Sequence, residues 1–260
     1  MKVLMIGDIV GRVGRAVVME QLKNIRREYK IDFVVANVEN AAGGFGMLPY
    51  MAEDFLSAGV DVMTSGNHIF DKRDILDYIK DQPRLLRPAN YAQELPGSGL
   101  WAGKTKQDIP IAVINLQGRV FMAPNDCPFH AVDKILSNLD KNIKVILVDN
   151  HAEATSEKVA MGWYLDGRAS TVVGTHTHVP TADERVLTNG TAYITDLGMT
   201  GPYDSVIGID KNTVIEKFLL GLSRKLETGE RDCSLCGVIV DINPETGQAK
   251  SIVRLRVPYD

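Results

Sequence analysis

Cysteine is scarce: Cys127, Cys233 and Cys236 are the whole complement. Three cysteines do not make a disulfide framework, so a reducing compartment, the cytoplasm, is the expected setting. Long apolar runs are missing too. No stretch approaches the ~20 residues needed to span a bilayer, which argues against a helical membrane protein. The opening "MKVLMIGDIVG" has too short an apolar part for a signal-peptide core, and no small-residue cleavage site follows it. Nor does either sign of charge dominate: 29 Lys and Arg stand against 33 Asp and Glu, with no long basic run. That argues against avid, sequence-independent binding to nucleic acid, while leaving room for a local basic patch. No internal repeat or low-complexity linker divides the chain, so residues 1–260 are read as one domain.

What is present is an alternation of apolar strands and amphipathic helices. "KVLMIG" reads as a buried strand, followed by a helix with Val18, Leu22, Ile25 and Tyr29 on one face. "DFVVANV" and "PYMAEDFLSAG" repeat the pattern, as do "VDVMTS" and "KRDILDYIKD". "IPIAVINLQG" precedes a helix from about Ala131, and "IKVILVD" precedes one over "SEKVAMGWYL"; "STVVGT" is a further strand. "ERVLTNGTAYIT" and the segment from "CGVIVDI" to "VRLRV" look like hairpins with Asn-Gly and Pro-Glu-Thr-Gly turns. The expected class is α/β: a mostly parallel sheet flanked by helices, plus a second sheet with antiparallel hairpins. A helix from about Asn212 is expected to cover one sheet with Ile215, Phe218, Leu219, Leu222 and Leu226 inward.

Histidine is also rare, with five in the chain, yet two of them stand one residue apart in "STVVGTHTHVP". The other strands end in similar chemistry: Asp8, then Glu39 and Asn40, then Asn67 and His68, then His151, and last His176 and His178. A single strand-end Asp is often only a helix cap or a turn former. The whole set is different, because ligands of an open parallel sheet bind beyond the carboxyl ends of its strands. Residues scattered along the chain would converge there. The donors are mixed nitrogen and oxygen with no cysteine among them, which argues against a structural zinc-thiolate site and suits two divalent ions. Side-chain alternation in an extended segment would put His176 and His178 on one side as a clamp.

These motifs resemble the calcineurin-like metallophosphoesterase superfamily. "GNHIFD", "DNH" and "GTHTH" match its later blocks, whereas "GDIVG" has Val10 where the superfamily carries a histidine, and "VEN" replaces Gly-Asp. That combination, with "MIGDIVGRVGR", "ANVENAAGGFG" and "GPYDSVIGID", is similar to the YmdB-like subgroup of phosphodiesterases acting on cyclic nucleotides. The resemblance implies one metal held by Asp8, Glu39, Asn40 and His178, and a second by Glu39, Asn67, His151 and His176. Glu39 would bridge them, and Asn40 would replace the absent histidine. Iron or manganese is the implied metal. A metal-bridging hydroxide would attack a 2′,3′- or 3′,5′-cyclic nucleotide, or an RNA end, and His68 would protonate the leaving oxygen with Asp71 orienting it. A second reading is a regulatory or binding protein whose metals mainly hold a ligand or partner surface.

Weaker signals complete the list. Arg12 or Arg15 is a candidate phosphate contact, and Phe45, in the glycine loop "NAAGGFGM", a candidate stacking partner for a base. Glycines at 7, 11 and 14 do not have dinucleotide-binding spacing. "CSLC" has no second cysteine pair, and Cys127 and His130 stay outside the site. The sequence leaves the oligomeric state open, a homo-oligomer included.

Overall fold

The computed structural model describes residues 1–222 and 224–259. Its first half alternates strand and helix: β1 (Lys2–Ile6), β2 (Asp8–Ile9), α1 (Gly11–Tyr29), β3 (Phe33–Asn37), α2 (Pro49–Ala58), β4 (Val62–Thr64) and α3 (Ile75–Asp81). The alternation continues through β5 (Leu100–Lys104), β6 (Pro110–Gln117), α4 (Pro128–Asn138), β7 (Val145–His151), α5 (Thr155–Tyr164) and β8 (Thr171–Thr175). After these come β9 (Arg185–Val186), β10 (Ala192–Ile194), β11 (Met199–Pro202), α6 (Lys211–Leu220), β12 (Cys233–Ile242) and β13 (Ala249–Tyr259).

The expected α/β class holds, with the parallel strands shared between two sheets. One sheet runs β2-β11-β12-β1-β3-β4, with β13 paired to β12; the other runs β5-β6-β7-β8-β10-β9. β1, β3 and β4 are parallel in the first sheet, and β6, β7, β8 and β10 in the second. The two hairpins are split as well, β9–β10 extending the second sheet and β12–β13 building the first.

Packing follows from side-chain alternation. In β1, Leu4 and Ile6 face α1 and α2, packing with Val18, Leu22 and Phe55. Val3 and Met5 point the other way, toward Val113, Leu147 and Ile194 of the second sheet. The far face of that sheet packs Ile114, Val148 and Val172 on Val132 of α4 and Met161 of α5. Both faces of each sheet are therefore covered, which is why the strands read as uninterrupted apolar runs. Each such side chain contributes about 1.5–3 kcal/mol of burial.

The structure corrects the expectation for α6. The helix forms, capped by Asp210, whose carboxylate accepts from the Thr213 amide at 2.9 Å. Its apolar side, however, faces solvent: Phe218 is 83% and Leu219 77% exposed, and Ile215 and Leu222 are exposed with them. The periodicity marks the apolar face correctly, but α6 lies on the rim with only Val214 turned inward. α3 is also shorter than its pattern, because the stretch before Ile75 is spent on turns that carry Asn67 and His68.

Candidate metal centre

The carboxyl ends of β3, β4, β7 and β8 meet at one edge of the sandwich, and the candidate donors sit there. Asp8, Glu39, Asn40 and His151 are buried. Glu39 occupies the middle. Its Oε1 is 3.1 Å from His151 Nε2 and 3.3 Å from Asn40 Nδ2, while its Oε2 accepts from the His68 amide at 3.1 Å. Asn67 Oδ1 and His176 Nδ1 each lie 3.0 Å from the same His151 nitrogen. Asp8 Oδ2 accepts from the His176 amide at 3.1 Å. His178 Nε2 lies 3.0 Å from Asn40 Nδ2 and 3.9 Å from Asp8 Oδ1.

Each imidazole has one nitrogen committed elsewhere. The Thr175 hydroxyl donates to Asp149 at 2.7 Å, so it accepts from His151 Nδ1 at 2.9 Å. Asp149 is itself caged by Thr64 Oγ1 at 2.5 Å and Asn37 Nδ2 at 3.0 Å. His176 Nε2 faces the Glu153 carboxylate at 3.0 Å, and His178 Nδ1 donates to the Ile207 carbonyl at 2.8 Å. The remaining three nitrogens turn inward. Fixing one imidazole nitrogen to aim the other is what metal-ligating histidines require.

The donor set fits a cation on two observations. Glu39 Oε1, Asn67 Oδ1 and His176 Nδ1 surround His151 Nε2, which carries no proton in the neutral imidazole because Nδ1 donates to Thr175. Asp8 Oδ1 is buried with no hydrogen-bond partner among the described residues, a state that costs free energy unless a positive charge answers it. Glu39, His151 and His176 present ligand atoms all within 4.8 Å of one another. Electrostatics agree. Burial pushes the Asp8 carboxyl up to about 6, against the pull of His178 and His151. Burial would raise Glu39 too, but contact with His151 outweighs it and holds that carboxyl well below its usual range. Burial would lower His151, but the surrounding carboxylates, Glu39 foremost, raise it. His176 is pushed down by burial and by His151, to about 3, which keeps its imidazole neutral.

His176 and His178 lie beyond the end of β8, and both have left-handed backbone, with φ of 99° and 65°. The expected extended clamp is thus replaced by two left-handed residues, which set His176 beside His151 and His178 beside Asn40. Gly66 explains another close approach: a Cβ there would fall 2.1 Å from His151 Cδ2. Only glycine lets the chain carrying Asn67 lie against that ring.

A cavity of about 320 Å³ opens beside these donors, lined by His68, Phe45, Val10, Ile207, Ile209 and Leu226 among others. His68 Nδ1 donates to Asp71 Oδ2 at 2.8 Å, leaving Nε2 without a partner among the described residues, and Phe45 stands edge-on to the ring at 5.0 Å. Arg12 does not line this cavity. It is exposed and pairs with Glu230 at 2.7 Å, while Arg15 donates to the Ala41 carbonyl and braces the glycine loop. Sequence reading missed Glu153, Asp149 and Thr175, although each lies within two residues of a candidate ligand. Cys233 and Cys236, three apart in β12, face opposite sides of the sheet.

The profile of the YmdB-like proteins matches residues 4–255. The chain belongs to the YmdB-like family. A Bacillus subtilis member named 2′,3′-cyclic-nucleotide 2′-phosphodiesterase is 46% identical over all of this chain and 98% of its own. Among solved structures, a hypothetical protein from Thermus thermophilus superposes with a TM-score of 0.93 at 38% identity, covering all of both chains. A phosphatase from Mycoplasma pneumoniae gives a TM-score of 0.92 at 33% identity over 99% of this chain and 93% of that one. The matched span includes both Val10 and Glu39.

Proposed function

We propose that the protein is a phosphoric diester hydrolase that opens 2′,3′- or 3′,5′-cyclic nucleotides with the help of two metal ions, iron or manganese. The observation that carries this reading is the set of three imidazoles, each anchored by one nitrogen and aimed by the other at two buried carboxylates. Asp8, Glu39, Asn40 and His178 would hold one ion, and Glu39, Asn67, His151 and His176 the other. For Asn40 this requires the amide turned so that Oδ1, not Nδ2, faces His178. Bound there, the ions would supply an activated water and the positive charge that the phosphate oxygens need.

The chain's own residues do the rest. His68, held at Nδ1 by Asp71, carries a proton at Nε2 for the leaving ribose oxygen. One P–O bond breaks, water oxygen joins phosphorus, and the product is a phosphomonoester with a free hydroxyl. Phe45 with Ile207, Ile209 and Leu226 would offer a base an apolar face, and the cavity volume suits a mononucleotide. RNA ends remain a substrate class to assay beside them. A protein that used its metals only as a binding surface would have no need of a half-buried, carboxylate-oriented His68 at the cavity.

The test is hydrolysis of 2′,3′-cyclic and 3′,5′-cyclic nucleotides by purified protein, stripped by chelator and then restored with manganese or iron. Activity should vanish on stripping and return on restoration. No turnover of any cyclic nucleotide by the restored protein would overturn the reading.

A further inference from the structure

Two opposite charges lie beneath the site without reaching it. Lys158, on α5, meets Asp196, just after β10, with Nζ 2.6 Å from Oδ2 and both side chains at most 2% exposed. Burying such a pair costs several kcal/mol per ion, and an apolar pair of the same size would often stabilise the fold as well or better. The pair therefore invites a role other than cohesion.

That role is visible in what else Asp196 holds. Its Oδ2 accepts from the Thr177 hydroxyl at 2.8 Å and the Thr177 amide at 3.2 Å, and its Oδ1 accepts from the Gly198 amide at 2.8 Å. The Asp196 amide donates to Thr181 Oγ1 at 2.9 Å, and its carbonyl accepts from the Thr181 amide at 3.1 Å. Asp196 thus staples the loop on both sides of His178. Thr177 is the residue between the two histidines with left-handed backbone. Each such residue costs roughly 1–3 kcal/mol and persists only where its surroundings over-determine it. Gly174 belongs to the same arrangement, because a Cβ there would crowd Lys158 Cδ at 3.0 Å and the Thr195 carbonyl more closely still.

We propose that Lys158 and Asp196 are positioning residues that clamp Thr177, and through it fix the two left-handed turns that aim His176 and His178. The Lys158 ammonium sits against Asp196 Oδ2, and the same oxygen grips the amide and the hydroxyl of Thr177 at once. This rests on the reading of His176 and His178 as ligands.

The test compares wild type with Asp196→Asn, Thr177→Val and Thr177→Ser, measuring manganese bound per chain across a graded chelator series. Far-ultraviolet circular dichroism and melting temperature are recorded alongside. Asp196→Asn and Thr177→Val should fold and lose ~10–100-fold in manganese affinity, the range seen when partners behind a ligand are removed. Thr177→Ser, which keeps the hydroxyl, should recover most of it. Folded variants with wild-type affinity would overturn the clamp. Wild-type protein that takes up no manganese or iron would instead overturn the metal reading. Should Asp196→Asn fail to fold, Thr177→Val, with the ion pair intact, decides the matter.

Discussion

Glu39 and His68 touch one another through a backbone amide yet stand on opposite sides of a division of labour. Glu39 lies between the Asn40–His178 donors and the Asn67–His151–His176 donors, so Glu39→Ala should lose both ions when metal content is measured after gel filtration. His68→Ala should keep both, since no donor is removed. Its rate on a cyclic nucleotide should fall by ~10²–10⁴-fold, the usual worth of a general acid. A nitrophenyl phosphodiester, whose leaving group departs without a proton, should lose little. Steady-state rates on the two substrates separate these cases. Equal loss on both would make His68 a phosphate-positioning group, and loss of a metal would make it a ligand. These side chains were legible because strand ends followed by Asp, Glu, Asn or His are a local pattern. Glu153 was not, since an acid two residues past His151 reads as surface until His176 is found beside it.

Among the elements, the turn after β4 and the loop after β8 carry the most demanding backbone. Gly66→Ala would drive a methyl group into the His151 ring. The imidazole or the turn must shift, at a cost of about 1–3 kcal/mol. A lower melting temperature together with weaker manganese binding is the expected result, and unchanged values of both would contradict the close approach. The turns at His176 and His178 were not legible, because positive φ announces itself in sequence mainly through glycine or asparagine. Here it is imposed on histidine by contacts with Asp196, a residue that reads as an ordinary strand-end acid. α6 shows the complementary limit. Its periodicity identifies an apolar face, but what a face packs against is a tertiary fact. Among the described residues, nothing covers Phe218 and Leu219.

At the scale of the whole molecule, alternating strands and helices were enough to name the class, because buried parallel strands cannot hide their continuous apolar runs. The division of those strands between two sheets was not readable, since periodicity says nothing of which strand pairs with which. That pairing sets the order in which the molecule can be made. β1 is flanked on one side by β12, with Lys2 opposite Asp241, and β2 pairs with β11, with Asp8 opposite Met199. A chain emerging from the ribosome displays every donor of the centre long before β12 exists to close the first sheet. Contacts between residues so far apart in sequence make folding slow. Residues 1–231, expressed alone, should therefore give no cooperative melting transition by calorimetry and bind no manganese, despite holding Asp8, Glu39 and all three site imidazoles. A cooperative melt with bound metal would show that the first sheet closes without its last hairpin. If these donors hold metal ions, nascent protein passes through an interval in which they are synthesised but not yet assembled, and loading would follow completion of the last hairpin.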